Sequence, residues 1–207
     1  MEKITHKKIL ETDRVESLAD GIFAFSMTLL IVNLAIPEIP KDQAPFLLGS
    51  KMFELLPLIA DFVLSFVLLA IFWNIHQKQF RGIKNVDESL SWINIFLLLF
   101  VVFIPFTTEL MARYDNSVTA VSLFNLNLLI IGLLFCWSWQ YASSHKLIDT
   151  GMTHGQIIYA SWKNFVIVPI ALPALFLGLF IPNWCTLIYV IVPFVVFFLE
   201  KKQLQSK

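Results

Sequence analysis

The residues best suited to chemistry in this sequence stand at the ends of long apolar segments. Asp20 follows the stretch Arg14-Val-Glu-Ser-Leu-Ala, and Trp73 and His76 close a second apolar segment. Ionisable groups in such segments are rare because their desolvation is costly, and they usually mark a function or a partner. If the segments are neighbouring helices, Asp20 and His76 lie at the same depth, and the Trp73 indole N–H can join them. These residues predict a structural lock between helices, a proton-sensing switch, or both.

The remaining ionisable residues indicate neither a metal site nor an enzyme. Asp61 is predicted to be solvated near the outer end of the second apolar segment or hydrogen-bonded to a Ser or Thr of a neighbouring helix, and an ion site is the alternative. The four histidines, His6, His76, His145 and His154, have no zinc-type spacing. The sequence contains no HExxH, GxSxG, GxxxxGK[ST] or CxxC motif. We therefore predict a protein with no enzymatic activity, no bound metal and no cofactor.

The composition indicates a membrane protein. Hydrophobic residues make up 57% of the 207 residues and charged residues 14%, whereas a soluble domain has roughly 45–50% and about 25%. Lys and Arg (15) balance Asp and Glu (15), and no basic block occurs, which excludes the usual footprint of a nucleic-acid binder. Cys136 and Cys185 stand in apolar runs and are predicted to be small buried hydrophobes. The expected surroundings of the chain are a lipid bilayer.

Stretches without Asp, Glu, Lys or Arg predict the membrane helices, because a bilayer-crossing helix needs ~20 largely apolar residues. Five such stretches occur, and the last, residues 164–199, is long enough for two helices interrupted at Pro182-Asn183. The segment 46–54 is short, contains Lys51 and is predicted to be interfacial. The predicted fold is all-α, one domain over residues 1–207 with six transmembrane helices, at 15–36, 55–77, 89–111, 118–143, 162–181 and 184–199.

The basic residues predict the orientation of these helices. With the N-terminus inside, twelve of the 15 Lys and Arg residues fall on the cytoplasmic side, and only Lys41, Lys51 and Arg113 fall outside. Cytoplasmic loops carry the excess of positive charge, so both termini are predicted to be cytoplasmic. The polar first residues contain no apolar h-region, which argues against a cleaved signal peptide. The expected location is the cell membrane, as a multi-pass protein.

One face of the first predicted helix is almost purely apolar, with a single hydroxyl. We call this face the first-helix stripe, and its members are Gly21, Phe25, Thr28, Leu29, Val32 and Ile36. Asp20 points to another side of the helix. Such a stripe usually contacts lipid or another helix, and a pore lining is the alternative. Because six short-looped helices leave no room for a polar channel within one subunit, a pore would have to form between copies.

Several motifs resemble one family of channels. The stretch Arg14-x3-Leu18-Ala19-Asp20-Gly21, continuing IFAFSMTLLIVNLAIP, resembles the Arg-x3-Phe-Ser-Asp signature and Thr-Leu-Leu helix of the transmembrane protein 175 (TMEM175) family. Trp73-x2-His76 resembles the end of the family's second helix, and FIPFT at 103–107 resembles its third-helix motif. The resemblance covers residues 14 to about 200, with the motifs in the same order. The family includes endolysosomal potassium channels and their prokaryotic relatives.

The resemblance implies a potassium-selective channel with passive ion flow, in prokaryotes a homotetramer whose pore is lined by the first helix of each subunit. It implies no TVGYG-type carbonyl filter, and this sequence contains none. By position, an apolar constriction falls at Phe25, Leu29 and Val32, and a threonine layer tied to potassium selectivity falls at Thr28. The signature residues implied to form a structural network behind the pore helix are Arg14, Asp20, Trp73 and His76.

Three departures from the family pattern accompany these expectations. Leu18-Ala19 replace Phe-Ser, Phe25 replaces the usual Ile or Leu, and Asn33 stands where a Glu is common. They bear on how strongly potassium is preferred over sodium.

The alternative function is a proton- or cation-coupled secondary transporter, motivated by Asp20, Asp61 and His76 as proton sites. A non-conducting membrane scaffold is a third interpretation.

Overall fold

The described part of the chain is built from helices. The computed structural model describes residues 12–32, 34, 36–114 and 116–205, so His6 and Asn33 lie outside the described residues. Within that part no strand is present beyond one bridge between Ile83 and Ile148. The helices are α1 Thr12–Val32, α2 Ala44–Glu54, α3 Leu56–Arg81, α4 Glu88–Arg113, α5 Val118–Ser144, α6 His154–Phe165, α7 Val168–Gly178, α8 Pro182–Cys185, a 3-10 helix Thr186–Val190 and α9 Ile191–Gln205.

Five helical segments of the described chain are long and apolar enough to cross a membrane. These are α1, α3, α4, α5 and the combined α6–α7 segment His154–Gly178. The apolar segment Thr186–Leu199 is shorter. The all-helical, multi-pass class predicted from the charge gaps is therefore confirmed, whereas the sixth span and the side of the termini stay predictions.

Two predicted helix ends differ from the structure because of a buried lysine and a proline. The fifth helix was expected from residue 162 but begins at His154, where Thr153 and Gln156 form a capping box. Lys163 is only 4% exposed and lies inside the helix, so its charge does not mark a boundary. The first helix is described to Val32, and residues 36–40, which include Pro37, are not helical. A proline disfavours helical geometry in the residue before it.

The last predicted helix, 184–199, is not one regular α-helix. The segment runs through α8 and the 3-10 helix before α9 begins at Ile191. Side chains tie this irregular segment to the bundle: the Tyr189 hydroxyl donates to Asn125 Oδ1 over 2.9 Å, and Asn125 Nδ2 donates to Cys185 Sγ over 3.6 Å. The fixed positions of Tyr189 and Cys185 hold this turn of chain against α5.

Helix α5 lies at the centre of the bundle and packs against α4, α6 and α7. Its buried side chains include Phe124, Leu128 and Phe135. Gly132 on α5 is in close contact with the junction between α6 and α7, where Ile167 and Val168 are also buried. A small residue in a membrane helix lets neighbouring backbones approach closely. Helix α1 lies outside this centre and packs on α3 and α4.

Candidate functional site: the exposed face of the first helix

Helix α1 buries one face against its own subunit. Its buried residues recur at spacings of three and four and are Val15, Ala19, Phe23, Ser26 and Leu30. Packing against α3 and α4 covers this face. The Ser26 hydroxyl is buried there without a hydrogen-bond partner among the described residues. The rest of α1 is therefore left for contacts outside the subunit.

The first-helix stripe lies outside the buried face. Phe25 is 59% exposed and Val32 is 73% exposed. Gly21 and Thr28 are also exposed, and Leu29 is half-buried. Ile36 is exposed as well, but it lies beyond the end of α1 in a non-helical segment. In the isolated subunit this apolar surface is open to lipid or to a second copy of the chain, since the helices of the subunit do not cover it.

Thr28 is the one hydroxyl on this surface. Its Oγ1 donates a hydrogen bond to the Phe25 carbonyl oxygen of the preceding turn, over 2.8 Å. A hydroxyl oxygen has two lone pairs and remains an acceptor after donating its proton. The bond therefore fixes the hydroxyl on α1 while its oxygen stays available to a cation or to water.

A hydrogen-bond cluster joins α1 to α3 on another side of the helix. The Trp73 indole N–H donates to Asp20 Oδ1 over 2.8 Å, and the Gln77 amide donates to the same oxygen over 3.3 Å. Trp73 and Gln77 are four residues apart and share one face of α3. Gln77 was not predicted from the sequence, although this spacing from Trp73 indicates it. Asp20 thus has two donors that hold α1 in place against α3.

His76 has a different partner from the one expected. Its Nε2 lies 2.8 Å from Asn94 Oδ1 on α4, and its ring stacks on Phe80 with centroids 4.4 Å apart. The side-chain hydrogen bond of His76 goes to Asn94 rather than to Asp20, because a residue three positions after Trp73 is turned toward α4. His76 still reaches α1 through the Phe23 ring, at a centroid distance of 5.8 Å. The sequence carried no signal for Asn94.

The other predicted residues are not part of this cluster. Arg14 is exposed in the first turn of α1. Asp61 is half-buried near the start of α3, at the opposite end from Trp73. In the part of the chain that the structure describes, no three His, Cys, Asp or Glu residues are grouped as metal ligands would be. The arrangement is a packed helix with one polar anchor and one open apolar face.

Comparison with known proteins identifies the family. Residues 14–105 match the family model described as endosomal/lysosomal potassium channel TMEM175. A potassium channel of Streptomyces collinus is 31% identical over 145 residues, which cover 67% of this chain and 68% of that protein. The chain belongs to the TMEM175 family. The resemblance noted in the sequence is confirmed, and the chain belongs to a family of ion channels rather than enzymes.

Other TMEM175 proteins match over different lengths. A potassium channel of Chamaesiphon minutus is 31% identical over 137 residues and 67% of its length. The TMEM175 protein of Danio rerio, named as an endosomal/lysosomal proton channel, is 25% identical over 195 residues. That match covers 93% of this chain but only 37% of the zebrafish protein.

Solved structures of TMEM175 proteins have the same fold. The crystal structure of a lysosomal potassium-selective channel TMEM175 homologue from Chamaesiphon minutus superposes with a TM-score of 0.77 at 23% identity. The superposition covers 92% of this chain and 97% of that one. At this level of identity the likeness establishes the fold, and the roles of individual residues have to be argued from this chain's own geometry.

Proposed function

We propose that this protein is a potassium-selective channel, built as a homotetramer in which α1 of each subunit lines a central pore. The exposed first-helix stripe is the observation that supports the pore, since the packed face of α1 and the Asp20 cluster orient the stripe outward. The bacterial relatives named as potassium channels support the permeant ion. Placement in the cell membrane of a prokaryote is part of the same proposal.

The stripe would control conduction through its apolar rings. Four copies of Phe25, Leu29 and Val32 around an axis form hydrophobic constrictions, and such constrictions close a pore by excluding water. Opening requires the rings to widen enough for a hydrated or partly hydrated ion. Thr28 lies among these rings, where four hydroxyl oxygens would replace part of the hydration shell. Selectivity would then depend on hydroxyl oxygens, with no fixed charge on the stripe.

Cysteine cross-linking tests which helix lies on the axis. In native membranes, Val32→Cys is expected to give covalent dimers with a short bismaleimide, because four copies of an axial residue face one another and each cysteine can react with one arm of the reagent. Phe96→Cys on α4 is the control, since Phe96 is also an exposed hydrophobic residue in a membrane helix. The wild type, which has Cys136 and Cys185, gives the background. If Phe96→Cys forms cross-linked dimers and Val32→Cys does not, the proposal that α1 lines the pore is contradicted.

Thr28→Val is expected to lower the potassium-to-sodium permeability ratio. Valine keeps the shape of threonine but lacks the oxygen that would contact the ion. The ratio is measured from reversal potentials of the reconstituted protein in planar bilayers. Thr28→Ser retains the hydroxyl and should keep the ratio near that of the wild type. An unchanged ratio in Thr28→Val would remove Thr28 from the selectivity layer.

Proton movement is the second candidate, because the zebrafish relative is named as a proton channel. It takes two forms, a proton-conducting pore and the proton-coupled transporter expected from Asp20, Asp61 and His76. Flux into liposomes separates them: a channel passes each ion down that ion's own electrochemical gradient, whereas a transporter moves protons and cations in a fixed ratio. A fixed ratio would contradict the channel proposal.

A further inference from the structure

The uncovered face of α1 continues beyond the first-helix stripe toward the N-terminal end of the helix. Arg14 precedes Gly21 by seven residues and Phe25 by eleven, and both spacings are close to whole numbers of helical turns. Leu18 lies between them on the same line, and both Arg14 and Leu18 are exposed. The neighbouring Val15 is buried on the opposite face. A permanently charged side chain therefore lies on the line of the stripe, at its N-terminal end.

The carboxylates of α1 lie on other sides of the helix. Asp20 accepts hydrogen bonds from two side chains of α3, and Glu16 lies close to Arg81 of α3. Asp13 is exposed, but a helix turns roughly 100° per residue, so Asp13 points to a different side from Arg14. As the acidic residue of the first turn, Asp13 offsets the partial positive charge at the N-terminal end of α1. Arg14 is thus the charge of α1 that shares the direction of the stripe.

We infer that Arg14 determines conductance, because four copies form a ring of positive charge at the N-terminal mouth of the pore. The inference rests on the proposed function, since it requires α1 to line a four-fold axis. A positive ring lowers the local concentration of potassium ions over about a Debye length, which is ~10 Å in 0.1 M salt. Ions that enter at this mouth start from the lowered concentration, whereas ions that enter at the opposite mouth do not. In symmetrical potassium chloride the current from the N-terminal side is therefore the smaller one.

The ring is well separated from the proposed selectivity layer. Thr28 follows Arg14 by fourteen residues, which corresponds to about 21 Å along the helix. That distance is roughly two Debye lengths in 0.1 M salt. Arg14 therefore changes the size and the asymmetry of the current, while the potassium-to-sodium permeability ratio stays the same.

Currents in patches excised from giant bacterial spheroplasts that express the full chain test the ring. Four charges ~10 Å from an ion in water lower its local concentration by about threefold in 0.1 M salt. Arg14→Gln is accordingly expected to raise the current from the N-terminal side by about threefold in 0.1 M potassium chloride. In 1 M salt the Debye length is about 3 Å, so the change should disappear. Arg14→Lys retains the charge and should retain the wild-type current.

Arg14→Cys identifies the N-terminal side and repeats the test within one patch. A membrane-impermeant, negatively charged methanethiosulfonate is expected to raise the current when it is applied to the N-terminal side only. A positively charged reagent restores the ring and should return the current to the wild-type level. The wild type, with Cys136 and Cys185, gives the background of the reagents.

Asp13→Asn is the matched control, because it removes a charge one residue from Arg14 but off the line of the stripe. It should lower the current by less than Arg14→Gln raises it. Changes of equal size in the two variants, or an unchanged current in Arg14→Gln at 0.1 M salt, would overturn the inference. Val32→Cys and Thr28→Val test the pore separately. If those two give their expected results and Arg14→Gln has no effect, the ring is wrong and the pore stands.

Discussion

Replacing Leu29 by alanine is expected to raise the potassium current by about tenfold, the change produced by a barrier ~1.4 kcal/mol lower. Leu29 is half-buried on the stripe between Phe25 and Val32. In a tetramer the substitution would remove four isobutyl groups at one level of the pore. A wider and less apolar constriction excludes water less strongly, so ions would cross it more often. The measurement is the current of the reconstituted protein in symmetrical potassium chloride at a fixed protein-to-lipid ratio.

Leu133→Ala is the control for this prediction. Leu133 is an exposed leucine on α5, so its substitution removes the same atoms from a membrane helix away from α1. Its current should match that of the wild type. If Leu29→Ala and Leu133→Ala conduct equally, Leu29 does not belong to the constriction. If Leu29→Ala raises the current and also lowers the preference for potassium, the apolar rings and the Thr28 layer lie in one narrow region of the pore.

Gly132→Ala is expected to destabilise the subunit by ~2 kcal/mol, the typical cost of overfilling a packed interior. A β-carbon at position 132 would overlap with Ile167 Cγ2 and lie 3.2 Å from Val168 Cγ2. Both contacts are buried at the junction of α6 and α7, so relief requires that junction to move away from α5. For a chain of this size the loss corresponds to a melting temperature ~4–8 °C lower. Thermal unfolding in detergent, followed by tryptophan fluorescence, measures it.

Gly49→Ala separates this steric effect from the general effect of glycine in a helix. Gly49 lies on exposed α2, and an added β-carbon would meet no atom within 4 Å. Alanine there should stabilise the helix by about 0.5–1 kcal/mol, because glycine loses more backbone entropy on folding. If the melting temperature of Gly132→Ala equals or exceeds that of the wild type, the α6–α7 junction is not tightly packed against α5.

Three of the predicted membrane helices agree with the structure to within a few residues. The predictions 55–77, 89–111 and 118–143 correspond to α3, α4 and α5. Two of these helices begin at polar residues that a sequence shows directly, since Asp87 and Ser117 cap α4 and α5 with their side chains. The charge-gap criterion failed at Lys163, because a lysine can lie inside a helix when the tertiary structure surrounds it.

The candidate site was predictable in its residues but not in all of its contacts. Asp20 and Trp73 were expected together, and the structure gives them a 2.8 Å hydrogen bond. His76 was expected at the same depth as Asp20, but its hydrogen-bond partner is Asn94 on α4. Sequence spacing defines the direction of a side chain on its own helix, and the rotation of that helix toward its neighbours sets the partner. That rotation depends on the packing of α3 against both α1 and α4.

The sequence by itself determined that this is a multi-pass helical protein of the TMEM175 family, because apolar length, charge gaps and local motifs are properties of the chain. It also defined the first-helix stripe as one face of α1. Only the tertiary structure decided which face of α1 is left uncovered, because that depends on where α3 and α4 pack. The same is true of a cavity between α3 and α6 whose lining includes Lys78, Arg81, Asp149 and Lys163, because these residues come from separate segments. Folding brings these charges together at one end of the bundle, and no local pattern in the chain records that proximity.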